Sequence, residues 1–283
     1  MPMPFFKFFV VSARSLALAA ITLCAVASAW AEDVPYVPTP NEVVVTMLKA
    51  ASTGPADTVI DLGSGDGRIP IIAVKDFGAR RALGVEINPR LVGEARAAAA
   101  SAGVADRVAF SQGNLFDYDF SGATVLTMYL LPELNLRLRP KILTMKPGTR
   151  IVSHEFTMGD WMPDAAWMPL DERHPQGPAF VYLWVVPADV AGAWRWEEGS
   201  RRFEMTIRQS YQAVSPAITV DGAPAAIEAA TLAGDRIRIV LARTASGRTV
   251  YDGRIAGDIV AGTVVRTDGS APWSAWRATT DGR

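Results

Sequence analysis

This 283-residue chain has a single cysteine, Cys24, and only two histidines, His154 and His174. One cysteine cannot form an intramolecular disulfide, so no covalent staple substitutes for a core. The histidines are far apart in sequence and lie in no metal-ligand spacing. No long basic run is present and the formal charge is −1, so nothing points to nucleic acid as a partner. The dinucleotide fingerprint G-x-G-x-x-G is missing as well. What is present is an apolar-rich chain, 49% hydrophobic, able to bury a substantial core as one large domain or two.

The N-terminus reads as an address. Lys7 and Arg14 precede the apolar run Leu16 to Val26, and Ala29-Trp30-Ala31 follows. A basic start, an apolar centre and an A-x-A site predict a signal peptide over residues 1–31 and export to the periplasm. The alternative is an uncleaved inner-membrane anchor lengthened by Phe5 to Val11, since the apolar run alone is short for a spanning helix. A lipoprotein fits poorly because Leu23 precedes Cys24. Cleavage removes Lys7, Arg14 and Cys24, which takes the charge from −1 to −3 and leaves no thiol.

The most informative stretch is Val59-Ile60-Asp61-Leu62-Gly63-Ser64-Gly65-Asp66-Gly67-Arg68. An apolar strand runs into an acid and then into three glycines at alternate positions. Such a turn lets a ligand lie on bare backbone, because a Cβ would block close approach. Ile69 to Lys75 then reads as a helix with Pro70 in its first turn. Strand, glycine turn and helix open a nucleotide-type pocket in a doubly wound α/β domain. Arg68 occupies the place of the third fingerprint glycine, and Asp61 and Asp66 flank the turn. That charge pattern suits a cationic ligand better than a pyrophosphate.

Two further landmarks follow. Ala82 to Asn88 reads as a strand ending in Glu86, placed where an acid can accept hydrogen bonds from ribose hydroxyls. Asn88-Pro89 reads as a helix cap with proline at the first position. Arg107 to Phe116 reads as a third strand ending in Asn114, whose amide could bond an adenine edge while Leu115 and Phe116 pack on the ring. An ordinary turn asparagine is the competing reading.

These residues resemble the class I S-adenosylmethionine-dependent methyltransferases. More narrowly, they are similar to the small family that includes the mitochondrial lysine methyltransferases of ATP synthase subunit c and of the adenine nucleotide translocase. The narrower resemblance adds Pro35 to Pro40, Tyr129-Leu130-Leu131-Pro132-Glu133-Leu134-Asn135 and Lys146 to His154. The resemblance implies S-adenosylmethionine as cofactor, with Gly63, Ser64, Gly65 and Gly67 against its methionine part and Asp61 near its ammonium. Glu86 would hold the ribose, and Asn114 with Leu115 the adenine. Lysine N-methylation of a protein, a membrane protein among the options, would be the reaction. No metal is implied.

No strong catalytic base is visible. Tyr129, after the fourth strand, is a candidate for shaping the acceptor pocket, with core packing equally open. Glu133 and Glu155 are candidate proton acceptors, though a surface charge is the plainer reading of both. His154 falls in the predicted strand Arg150 to Phe156 and reads as a core residue. Two other functions stay open here: a non-catalytic exported binding protein that retains the fold, and a nicotinamide-dependent reductase.

The expected fold is α/β, a Rossmann-like doubly wound sheet over residues 32–188, followed by a small antiparallel β domain over 192–283. Asn41 to Ala51 reads as a helix capped by Asn41. Leu131 to Lys146 reads as another, interrupted near Pro140. Trp161, Pro163, Trp167 and Pro169 mark an irregular segment, and Phe180 to Val186 a last strand of the main sheet. Beyond Gly192, alternating strands and turns such as Asp221-Gly222 predict a small sheet or partial barrel. Trp194, Trp196, Trp273 and Trp276 are expected to fill its core or line one face.

Overall fold

The computed structural model describes residues 36–175, 177–244 and 247–278. The expected signal peptide and Cys24 lie outside the described residues. Among the described residues no helix is long and apolar enough to cross a membrane.

The first sheet contains seven strands: β1 (Thr58–Leu62), β2 (Arg81–Glu86), β3 (Val108–Gln112), β4 (Val125–Met128), β5 (Arg150–His154), β6 (Ala165–Leu170) and β7 (Ala179–Val185). Their order is β3-β2-β1-β4-β5-β7-β6. The first five are parallel, and β7 runs antiparallel between β5 and β6. All five residues of β1 and all four of β4 are buried, as expected for central strands covered on both faces.

Side chains alternate between two cores. Val59, Val125 and Val152 join Val43, Val44, Met47 and Leu48 of α1 (Asn41–Ala50), together with residues of α2 (Arg68–Lys75) and α3 (Pro89–Ser101). Ile60, Leu62, Leu126, Met128 and Ile151 face the other way, onto Leu138 and Ile142 of α4 (Pro132–Ile142).

Several local expectations need correction. Pro40, not Asn41, caps α1, and Asn41 is its first helical residue. Helix α4 ends at Ile142 rather than Lys146. Pro140 sits exposed in its last turn, where the loss of one amide donor is tolerated, and so does not interrupt it. The segment expected to be irregular contains β6. Its Pro169 lies at the register shift between Trp167 and Leu170, on an edge strand that needs no amide there. The strand at 179–185 is therefore internal to the sheet.

The second sheet comprises β8 (Gly192–Glu198), β9 (Arg201–Ser210), β10 (Ala213–Val220), β11 (Ala223–Ala225), β12 (Ile227–Ala233), β13 (Arg236–Thr244), β14 (Gly247–Ala256), β15 (Ile259–Arg266) and β16 (Gly269–Arg277). The strands are antiparallel throughout, in the order β11-β10-β9-β8-β16-β15-β14-β13-β12. Trp194, Trp196, Phe203, Tyr251 and Trp273 fill its core, with Trp196 stacked on Phe203 at 4.9 Å. Trp276 does not join them. It is 50% exposed, because Trp273 and Ala275 set the inward parity of β16 and a residue one step on points out.

From Pro38 onward the two sheets belong to one compact unit. The β9–β10 turn reaches the first sheet's far core: Tyr211 stacks on Trp161 at 5.7 Å, and Trp161 Nε1 donates to Gln212 Oε1 at 2.9 Å.

Candidate functional site

The site gathers at the carboxyl ends of β1, β2, β4 and β5. Gly63, Gly65 and Gly67 all have positive φ, at 75°, 52° and 81°, so the turn after β1 uses backbone conformations that side chains disfavour. The turn is pinned to β2 by the Gly63 and Ser64 amides, which donate to the Val85 carbonyl at 2.9 and 3.0 Å. A Cβ on Gly67 would lie 2.5 Å from the Phe110 ring, and one on Gly84 would lie 2.4 Å from Ser64 Oγ. Here the glycines serve close packing as well as turn geometry. Ser64 Oγ is buried and makes no protein hydrogen bond.

Two acids bracket this turn. Asp61 is 2% exposed and accepts a hydrogen bond from Thr127 Oγ1 at 2.7 Å. Burial pushes its carboxyl up to about 7, against the Thr127 bond, with the charges of Glu86 and Asp66 adding to the rise. Glu86, also buried, accepts from Gly65 N on one oxygen and from Asn88 N on the other, each at 2.9 Å. Each oxygen keeps a lone pair for a further donor. Ile87 follows, 46% exposed, and puts an apolar side chain at the same edge. Asn88 caps α3 through Arg90 N with Pro89 behind it, as the sequence predicts.

Asn114 is placed differently from its expectation. Strand β3 ends at Gln112, and Asn114 lies exposed in the next turn with its Oδ1 accepting from Phe116 N at 3.1 Å. The turn asparagine reading describes this geometry, with the amide nitrogen still available to donate. Leu115 and Phe116 are half-buried against the α4-side core.

Arg68, the first residue of α2, follows the turn and ties it to the segment before α1. It pairs with Asp66 at 2.6 Å and donates from Nη1 to the carbonyl of buried Thr39 at 2.9 Å. Thr39 Oγ1 in turn bonds His154 Nδ1 at 3.2 Å. His154 ends β5 only 4% exposed, and burial pushes its imidazole down to about 4, so it is neutral near pH 7. Its ring lies 4.0 Å from that of Tyr129, the first residue after β4. Burial and the Glu155 charge raise the Tyr129 hydroxyl. Glu133 is exposed in the first turn of α4, and Glu155 is half-buried beside His154.

The structure thus brings together Asp61, the glycine turn, Glu86 and Tyr129. It adds Thr39, Thr127, His154 and Ile87, and it gives Arg68, read in the sequence as the replacement for a fingerprint glycine, an ion pair with Asp66 and a bond to Thr39. Among the described residues no group of three or more His, Cys, Asp or Glu side chains could hold a metal ion.

The donor set fits S-adenosylmethionine. A buried acid lies beside a turn of bare backbone, a second acid has both oxygens oriented by amides, and the turn carries a buried Ser64 hydroxyl with no protein partner. Comparison with known proteins agrees. The ANTKMT methyltransferase domain matches residues 61–165. A protein-lysine N-methyltransferase of Saccharolobus islandicus (strain REY15A) is 50% identical over 135 residues, which cover 47% of this chain and 84% of that protein. The adenine nucleotide translocase lysine N-methyltransferase of Mus musculus is 35% identical over 134 residues, and the match spans 58% of its length. Among solved structures, an RNA methyltransferase from Salinibacter ruber in complex with S-adenosyl-L-homocysteine is 48% identical, with a TM-score of 0.50 over 54% of this chain and 96% of that one. The second sheet, from Gly192, lies beyond the residues matched by the domain.

Proposed function

The chain belongs to the S-adenosylmethionine-dependent methyltransferase family that contains the protein-lysine methyltransferases, and we propose that its methyl acceptor is the side-chain amine of a protein lysine. It is a class I methyltransferase that uses S-adenosylmethionine. When bound, the cofactor supplies an electrophilic methyl group on sulfur. The observation that carries the assignment of residues is the pair of buried acids, Asp61 and Glu86, bracketing a glycine turn.

In this reading Asp61 faces the cofactor's amine, and the positive-φ turn lies along its methionine part. Glu86, aimed by Gly65 N and Asn88 N, takes the ribose hydroxyls. Ile87 covers one face of the adenine, and the free amide nitrogen of Asn114 donates to its edge. Displacement at a methyl group depends mainly on alignment of the nucleophile, so the protein's task is to orient and to exclude water. A lysine amine must arrive as the free base. Glu155 is the carboxylate whose charge reaches Tyr129, and it is the group best placed to take that proton, directly or through water. Glu133, exposed on α4, serves the helix N-terminus instead.

The lysine acceptor is supported by the 50% identity to a protein-lysine N-methyltransferase and by the lack of any long basic run for nucleic acid. Incubation of the full chain with methyl-labelled S-adenosylmethionine, a lysine-containing protein extract and total RNA tests it. Label on lysine Nε is expected. Label confined to RNA would overturn the acceptor and leave the cofactor site standing.

We also propose that the enzyme is exported, on the order of Lys7, Arg14, the apolar run and Ala29-Trp30-Ala31. N-terminal sequencing of the mature protein from fractionated cells should begin at Glu32. An uncleaved membrane-bound chain would favour the anchor.

A further inference from the structure

Tyr129 and His154 leave adjacent parallel strands side by side, since Met128 pairs with Ser153 in the register of β4 and β5. They emerge next to the glycine turn: Leu130 Cδ2 lies 3.0 Å from where a Cβ on Gly63 would sit. The chain then does something unusual. Phe156 N donates to the His154 carbonyl at 2.8 Å, two residues back, while Glu155 between them has φ 68°. This is a γ-turn of the rare positive-φ hand, a strained geometry for a residue with a side chain.

Strain of this kind persists only when its surroundings hold it, and it clusters at functional sites. The surroundings here are specific. Asn135, fully buried on α4, donates to the carbonyls of Phe156 and Thr157 at 3.3 Å each. Phe180 N donates to the Glu155 carboxylate at 3.2 Å. The result of the turn is that Phe156 comes back alongside Tyr129, ring centroids 6.2 Å apart and planes within 15°. One cation can lie within range of both rings, because cation–π attraction extends to about 6 Å from a centroid. The neighbouring His154 is neutral and the Glu155 carboxylate is close, so the local charge favours a cation as well.

We propose that Tyr129 and Phe156 form a two-ring site for the methylated, cationic acceptor nitrogen, and that His154 is the positioning residue that fixes Tyr129 in it. The proposal rests on the lysine reading and deepens it: an acceptor retained after one transfer is available for the next. Each round forms one C–N bond and breaks one C–S bond, and the nitrogen releases one proton to Glu155, directly or through water, before it attacks. His154 acts at a distance, clamped by Thr39 on one side and packed on Tyr129 on the other.

Tetramethylammonium is a suitable probe, because it tests the rings without any acceptor protein. Its titration into the full chain saturated with S-adenosyl-L-homocysteine should show binding. Tyr129→Leu and Phe156→Leu should weaken it about three- to tenfold, within the range of single cation–π contacts. Tyr129→Phe keeps the ring and should bind as the wild type does, which separates loss of the site from loss of the fold. With a lysine acceptor, the two leucine variants should shift products from di- and trimethyl-lysine toward monomethyl-lysine. His154→Phe should raise the acceptor KM and shift products the same way while kcat for the first transfer holds. His154→Asn, which can keep the Thr39 bond, should partly restore both. Tetramethylammonium affinity unchanged in both leucine variants, or no binding to the wild type, would overturn the proposal. A wild type that binds tetramethylammonium but never methylates lysine would support the ring site and sink the lysine reading.

Discussion

Thr127 Oγ1 donates to a carboxylate oxygen of Asp61 at 2.7 Å, across the pair formed by β4 and β1, with both side chains buried beneath the glycine turn. The bond favours the carboxylate while burial opposes it, and burial prevails, raising Asp61 to about 7. The free protein therefore holds this proton at mildly acidic pH, and a bound amine cation draws it off. Affinity for S-adenosyl-L-homocysteine should rise with pH below about 7, by at most tenfold per unit, and level off above. Linkage gives the opposite sign for the free protein. A raised carboxyl contributes least cost below the ordinary carboxylate range, so that contribution to stability declines as pH rises toward 7. Calorimetric titration from pH 5.5 to 8 checks the slope, and Asp61→Asn should flatten it.

Glu86 sets a second expectation. Both its oxygens accept backbone amides, so Glu86→Gln must turn an NH2 group toward one of those donors. One buried donor then loses its partner, at a cost of about 1–3 kcal/mol. Thermal melting should fall, and cofactor affinity should drop at least tenfold by titration. Full affinity in this variant would remove Glu86 from the ribose site.

Two glycines should respond with opposite signs. Gly67→Ala combines a φ of 81° with contacts at 2.5 Å to Phe110 and 2.8 Å to Ala95, and should destabilise by roughly 2–4 kcal/mol. Gly93 is exposed inside α3, and a Cβ added there would meet no atom within 4 Å, so Gly93→Ala should stabilise by about 0.5–1 kcal/mol. Urea unfolding of the pair measures both. Equal effects would mean the turn relaxes around a side chain.

The β9–β10 turn should matter to the first sheet. Gln212→Ala leaves the Trp161 indole N–H without its acceptor and should cost about 1–3 kcal/mol. Cofactor affinity should stay within twofold, because Trp161 lies in the core on the α4 side and not beneath the glycine turn. A large loss of cofactor affinity would show that the second sheet supports the cofactor site itself.

The parts legible in sequence are those encoded locally. The glycine spacing, Asn88-Pro89 and the apolar runs of β1, β2 and β4 each fix backbone geometry within a few residues. Expectations failed where a local signal was outweighed by position in the fold. Pro169 reads as a breaker but sits on an edge strand, and of the two readings of Trp276, core or face, the core one fails because it falls on the outward parity of β16. His154 reads as packing because its partners, Thr39 and Tyr129, are 115 and 25 residues away.

By itself the sequence determined that a positive-φ turn follows a buried strand and that an acid ends the next strand, because those depend on the absence of Cβ atoms and on period-two burial. The tertiary structure alone decided which side chains meet at that turn. Strand order β1-β4-β5 set Thr127 beside Asp61 and His154 beside Tyr129, and the Glu155 turn brought Phe156 back to them. Such contacts join residues distant in the chain, and only the hydrogen-bonded register of parallel strands fixes their spacing.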